Sequence, residues 1–136
     1  MPDIQTEIDM SGNPVTWFEI YVKDLKRAKA FYEKTLAITL QKLDTPASGV
    51  TEMWSFPMGK DSYGATGALV KMDDGPSGGG GGTIVYFECE DCGVESSRVR
   101  ANGGRLMKDK FAIGPHGFIA LAADTEGNSI GLHSMK

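Results

Sequence analysis

The chain reads as an α+β domain made of two tandem β-α-β-β-β units, and three observations predict it. Strand-like alternation over residues 17–22 runs directly into a helical apolar stripe that closes at Leu36, and three further strand-like stretches follow. The same order of elements returns after residue 82. Between the copies lie Asp73-Asp74-Gly75-Pro76-Ser77 and five consecutive glycines, Gly78 to Gly82. Two copies that each leave one sheet face bare cover it by pairing, so the space they share is where a ligand belongs.

In the first strand Phe18, Ile20 and Val22 fall on one face and Trp17, Glu19 and Tyr21 on the other. The first face is plain core. The second sets a carboxylate between two aromatics with polar tips, the mixture expected where a sheet bounds a ligand cavity or a wet interface. A half-buried strand whose Glu19 reaches solvent gives the same pattern, and both readings stand at this point. Asp24 is placed to cap the helix that follows, in which Leu25, Ala28, Phe31 and Tyr32 recur at helical spacing. Ile38 to Leu43 predicts the second strand. Thr51 to Met58 predicts the third, with Glu52, Trp54 and Phe56 opposite Met53 and Ser55, and Gly67 to Met72 the fourth. Pro46, Ser48 and Gly49, then the turn-rich stretch Gly59 to Gly64, separate them. Residues 1 to 13 are a polar, loosely held lead-in.

The second half opens on Thr83 to Cys89, with Val85, Phe87 and Cys89 on an apolar face and Ile84, Tyr86 and Glu88 on a mixed one. Asp91 caps a second helix, which Asn102-Gly103-Gly104 ends with a left-handed glycine, Gly104 falling where Ala37 falls in the first half. Three strands complete the copy: Arg105 to Phe111, Phe118 to Ala123 and Ser129 to His133. The turns between them are Ile113-Gly114-Pro115-His116-Gly117 and Asp124-Thr125-Glu126-Gly127-Asn128. One domain therefore comprises a module over about 14–74, a glycine-rich linker over 75–82 and a second module over about 83–134. Because the glycine run leads into a strand and not a helix, it reads as a flexible linker and not as a phosphate cradle.

A length of 136 residues suits one core without metal or disulfide staples. The formal charge of -4, with Lys and Arg scattered, argues against nucleic acid as a partner. No apolar run approaches bilayer length and the N-terminus has no signal-like segment, so a soluble cytoplasmic protein is expected. Cys89 and Cys92 are ringed by Glu88, Glu90 and Asp91, which raise thiol pKa values and disfavour a redox pair; a zinc site lacks its second pair of ligands.

Phe18-Glu19-Ile20-Tyr21-Val22-Lys23-Asp24-Leu25-Lys26-Arg27-Ala28-Lys29-Ala30-Phe31-Tyr32 near the start and Asp124-Thr125-Glu126-Gly127-Asn128-Ser129-Ile130-Gly131-Leu132 near the end together resemble the glyoxalase, bleomycin-resistance and extradiol-dioxygenase superfamily, the vicinal oxygen chelate proteins. The resemblance covers roughly residues 14–134. It is nearest to a little-characterised glyoxalase-related branch with Trp-Phe-Glu-Ile at the first strand. It implies paired β-α-β-β-β modules, a curved mixed sheet around a cavity, a small-molecule ligand and often a homodimer. For metal-dependent members it implies ligands on the first strand of each module and near the module ends. Matched from the capping aspartates and the Asp-Thr-Glu-Gly-Asn turn, those positions are Trp17, Ile84, Gly131 and one within Ala68 to Val70. None supplies an imidazole or carboxylate, which disfavours a divalent metal; a displaced site could draw on Glu19 and His133. The cofactor is otherwise unknown from the sequence, a divalent metal being possible but disfavoured.

Two functions follow from this resemblance and the residues together. The first is a glyoxalase-like lyase or isomerase acting next to a carbonyl, with Glu19 as base and His116, on its Gly-Pro-His-Gly loop, among the oxyanion donors. As a polar turn residue His116 needs no such role. The second is a non-catalytic drug- or metabolite-binding protein whose cavity is lined by Trp17, Tyr21, Trp54, Tyr86 and Glu88 around Glu19, suited to a planar or cationic ligand.

Overall fold

The computed structural model describes residues 12–44, 49–59, 63–73 and 81–136. Its strands are β1 (Val15–Tyr21), β2 (Gln41–Leu43), β3 (Val50–Ser55), β4 (Thr66–Met72), β5 (Thr83–Glu88), β6 (Arg105–Ala112), β7 (Phe118–Ala123) and β8 (Ser129–Ser134), and its helices α1 (Leu25–Leu36) and α2 (Cys92–Val99). The strands form one curved, open sheet in the order β2-β3-β4-β1-β5-β8-β7-β6. β1 and β5, the first strands of the two halves, pair antiparallel at its centre. Outward from that seam each half repeats the same partners: the fourth strand parallel, then the third and second antiparallel. The parallel pairs need the crossovers that α1 and α2 supply. This is the α+β architecture the two-copy pattern predicts.

Local chemistry fixes the helix ends. The Asp24 carboxylate accepts from the Arg27 amide at 2.9 Å and that of Asp91 from the Gly93 amide at 2.9 Å, each satisfying an orphan donor of a first turn. α1 stops at Ala37, a left-handed residue with φ 54° whose N–H bonds back to the Glu33 carbonyl. α2 instead tightens into a 3₁₀ turn over Arg100–Asn102, and Gly103, with φ 91°, takes the left-handed position. The counterpart of Ala37 is therefore Gly103, one residue before the expected Gly104. Gly104 is glycine for want of room: a Cβ there would lie 2.7 Å from the Ala123 carbonyl oxygen.

Two strands are shorter than their alternation predicts. Residues 38–40 stay outside β2 because the Leu40 N–H is taken by the Glu33 carboxylate at 2.9 Å, while its side chain is buried against Leu25 and Leu69. β3 ends at Ser55, just ahead of Pro57, which has no N–H to give a ladder. The lead-in over 1–11, Pro46, Ser48, the middle of the 59–64 loop and most of the 75–82 linker lie outside the described residues.

Both helices pack on one face of the sheet. Leu25, Leu40 and Leu69 form a buried cluster under α1 with Ile20, Val22, Ala28, Tyr32, Ile38, Trp54 and Phe56. Cys89, Cys92, Ala120 and Leu132 do the same under α2 with Phe87, Val99 and Phe118. A third cluster of Met53, Ala68 and Val70, flanked by Trp17 and Tyr21, lies on the opposite, helix-free face. Paired residues in adjacent strands share a face, and Glu19 pairs with Ala68 and Ile84. Glu19 therefore points away from the helices.

Candidate functional site

On the helix-free face, three side chains from the two halves converge on one carboxylate. Tyr21 donates its hydroxyl to Glu19 Oε1 at 2.7 Å, and Tyr86 donates to the same oxygen at 3.0 Å. The Trp17 indole N–H donates to Glu19 Oε2 at 3.1 Å. Strand geometry makes this possible: residues 17, 19 and 21 alternate onto one face of β1, and Tyr86 sits directly opposite Trp17 across the β1–β5 seam. Burial, reinforced by the negative charge of Glu19, pushes both phenols well above the ordinary tyrosine range. Both remain neutral donors. A carboxylate offers about four acceptor sites, so with two bonds on Oε1 and one on Oε2, the open position is on Oε2.

Tyr86, 5% exposed, is held by what is missing opposite it. It pairs in register with Gly131 of β8. A Cβ at residue 131 would overlap the tyrosine ring at Cδ2 and Cε2 and lie 2.8 Å from Cγ. The ring thus occupies the space of the side chain that β8 lacks.

That interlock bears on the metal question. Of the positions matched to the superfamily's ligands, Gly131 has its side-chain space filled by Tyr86, Ala68 and Val70 are buried apolar residues, and Trp17 offers a donor where a metal needs a lone pair. Among the described residues no three His, Cys, Asp or Glu side chains gather to hold an ion. The displaced pair of Glu19 and His133 does not help, because both nitrogens of His133 already face oxygens. Nδ1 lies 2.6 Å from Glu88 Oε1, and Nε2 lies 2.6 Å from the His116 carbonyl oxygen. The described residues at these positions do not fit a divalent ion.

The remaining candidates separate into different places. Glu88 shares the face with Tyr86, two residues along β5, but its carboxylate is engaged by His133 and, at 3.4 Å, by the Thr16 hydroxyl. His116 sits on the 3₁₀ turn Gly114–His116 with its side chain exposed, and contributes its main-chain carbonyl to that cluster. Trp54 corrects the expectation that it lines the cavity. It lies under α1 on the other face, its indole N–H given to Glu52 at 2.6 Å and the Lys29 ammonium 4.7 Å from its ring. Two elements escaped the sequence: the Gly131–Tyr86 interlock and the Glu88–His133–His116 chain. Both depend on cross-strand register. Cys89 and Cys92 are buried free thiols under α2, and burial together with nearby Glu95 pushes Cys89 up to about 12.

Comparison with known proteins shows what the chain is similar to. The model of the Glyoxalase/Bleomycin resistance protein/Dioxygenase superfamily matches residues 15–132. A glyoxylase-like domain-containing protein of Didymella fabae is 29% identical over 119 residues, covering 85% of this chain and 88% of its own. Among solved structures, a hypothetical protein of Bacillus halodurans C-125 superposes with a TM-score of 0.69 at 18% identity, over 92% of this chain and 96% of that one. A variant of Streptomyces coelicolor methylmalonyl-CoA epimerase in complex with 2-nitronate-propionyl-CoA gives 0.66 at 19% identity, over 90% and 96%. At such identities the structures speak for the fold, while the family match spans nearly the whole sequence. The chain belongs to the Glyoxalase/Bleomycin resistance protein/Dioxygenase superfamily.

Proposed function

We propose that the helix-free face is a small-molecule site and that Glu19 is the group that engages the ligand. The observation that carries this is the carboxylate held by three neutral donors, Trp17, Tyr21 and Tyr86, with one acceptor position on Oε2 unspent. Three bonds fix the carboxylate in place before a ligand arrives, so little ordering remains to be done on binding. Small ligands of superfamily proteins support the reading, since a fold neighbour holds a CoA ester analogue. Homodimerisation and a cytoplasmic location belong to the same reading and rest on family resemblance and on composition; sedimentation velocity reads the first.

A second reading, proton transfer next to a carbonyl, is favoured by one feature of the same geometry. Oε2 is an acceptor beside two phenols that stay neutral, and a proton taken there removes the charge that holds both hydroxyls on Oε1, so that they can turn to a developing oxyanion. An epimerase among the fold neighbours is consistent with it.

The two tryptophans make the test direct, because Trp17 borders the site and Trp54 lies on the opposite face. In a Trp54→Phe protein, saturable change of the Trp17 emission by small aromatic compounds is expected, with none in the Trp17→Phe protein. Compounds that move Trp54 alone would overturn the placement. Isomerisation of the methylglyoxal–glutathione adduct, lost in Glu19→Gln, would establish the second reading; its absence alongside saturable binding would leave the first.

A further inference from the structure

Resting on that placement of the site, we infer that the ligand engages Glu19 through a protonated amine, so that the site selects N–H-bearing organic cations. All three groups bonded to the carboxylate are neutral: an indole and two phenols. They stabilise the anion but leave its charge uncompensated. Among the described residues, no Lys, Arg or His nitrogen forms an ion pair with Glu19.

Among the described residues, the other ionisable groups that register places on this face are engaged with one another or lie away from Glu19. His133 and Glu88 pair with each other at 2.6 Å. Arg105 and Lys108, which register places on the same face, belong to edge strand β6, three strands from β5, and the Lys108 ammonium lies 3.9 Å from the centre of the Phe111 ring. A half-buried carboxylate therefore keeps an unmatched charge, shared by its two oxygens, and an unspent acceptor position on Oε2.

One ligand group satisfies both. A hydroxyl or amide N–H would fill the acceptor position on Oε2 and leave the charge. A quaternary ammonium would offset the charge and leave the position empty. A primary or secondary ammonium does both in one contact, and charge-assisted bonds of this kind are the short, strong ones. An anion would meet repulsion from Glu19, and the two phenols that might turn to it would have to abandon the carboxylate first.

Benzylammonium, benzyl alcohol and benzoate share a ring and differ in the group presented, so they test this on the Trp54→Phe protein through the Trp17 emission. Benzylammonium is expected to bind at least about tenfold more tightly than benzyl alcohol, about 1.4 kcal/mol, with benzoate weakest. In Glu19→Gln, checked for native circular dichroism, benzylammonium is expected to lose its advantage and to bind no more tightly than benzyl alcohol. Added salt is expected to weaken benzylammonium binding and spare benzyl alcohol, which keeps the test available should Glu19→Gln not fold. Equal binding of the amine and the alcohol, or a preference that survives Glu19→Gln, would overturn the inference and leave the site where it is. Failure of all three compounds to move Trp17 would overturn the site itself.

Discussion

Placing a methyl group on residue 131 is the sharpest perturbation the site offers. The added Cβ would overlap the Tyr86 ring, and that ring is 5% exposed, with little freedom to move aside. Overpacking of this kind costs about 1–3 kcal/mol. If the ring tilts, its hydroxyl also leaves Glu19, and a hydrogen bond to a charged group contributes about 1.5–3 kcal/mol. Against this, Gly→Ala lowers the entropy of the unfolded chain and returns about 0.4–1 kcal/mol. Gly131→Ala is therefore expected to destabilise by about 2–5 kcal/mol, read from urea midpoints at constant m-value. The background decides the cause. With Tyr86→Ala already present the ring is gone, and Gly131→Ala should be neutral or slightly stabilising. With Tyr86→Phe the overlap remains and the hydroxyl does not, so the cost should fall to the packing share alone. A penalty of the same size in wild-type and Tyr86→Ala backgrounds, to within about 0.5 kcal/mol, would refute the interlock.

Other expectations follow from the same coordinates. Cys89 and Cys92, buried and with Cys89 raised to about 12, should resist a thiol-specific chromogenic reagent in the native protein at mildly alkaline pH and react together on unfolding; fast reaction of native protein would contradict their burial. Lys110 and the Gly93 amide hold Asp91 below the ordinary aspartate range, and the Asn128 side chain with the Asn128 and Glu126 amides does the same for Asp124. A carboxylate depressed on folding adds stability above its unfolded value and loses it as pH falls through the folded one. Acid should therefore erode wild type more steeply than Asp91→Asn or Asp124→Asn, and parallel acid limbs in urea titrations would count against these bonds. Ala37, left-handed at φ 54°, should gain on replacement by glycine, by up to about 1 kcal/mol, visible as a raised urea midpoint.

How much of this was legible in the sequence depends on which distances it spans. Alternation along β1 separates Phe18, Ile20 and Val22 from Trp17, Glu19 and Tyr21 because parity within one strand is local. Parity in β3 likewise groups Glu52, Trp54 and Phe56. It does not say which group shares a face with Glu19. That is settled by register, Trp54 opposite Leu69 and Leu69 opposite Ile20, which puts Trp54 under α1. The same limit hid Gly131, whose lack of a side chain has meaning only beside Tyr86, and His133, whose nitrogens are spent on residues 45 and 17 positions away. Strand ends depart from the alternation where a side chain or a proline removes a main-chain donor, as Glu33 does at Leu40.

The seam between β1 and β5 makes the site a joint property of two tandem copies. Counted from the capping aspartates, Glu19 corresponds to Tyr86 and Tyr21 to Glu88, so acid and phenol have traded places between equivalent positions. Neither copy encodes the arrangement alone. A substitution in one is judged by its complement in the other, and two halves alike in their order of elements are, at this one carboxylate, a partnership of unlike members.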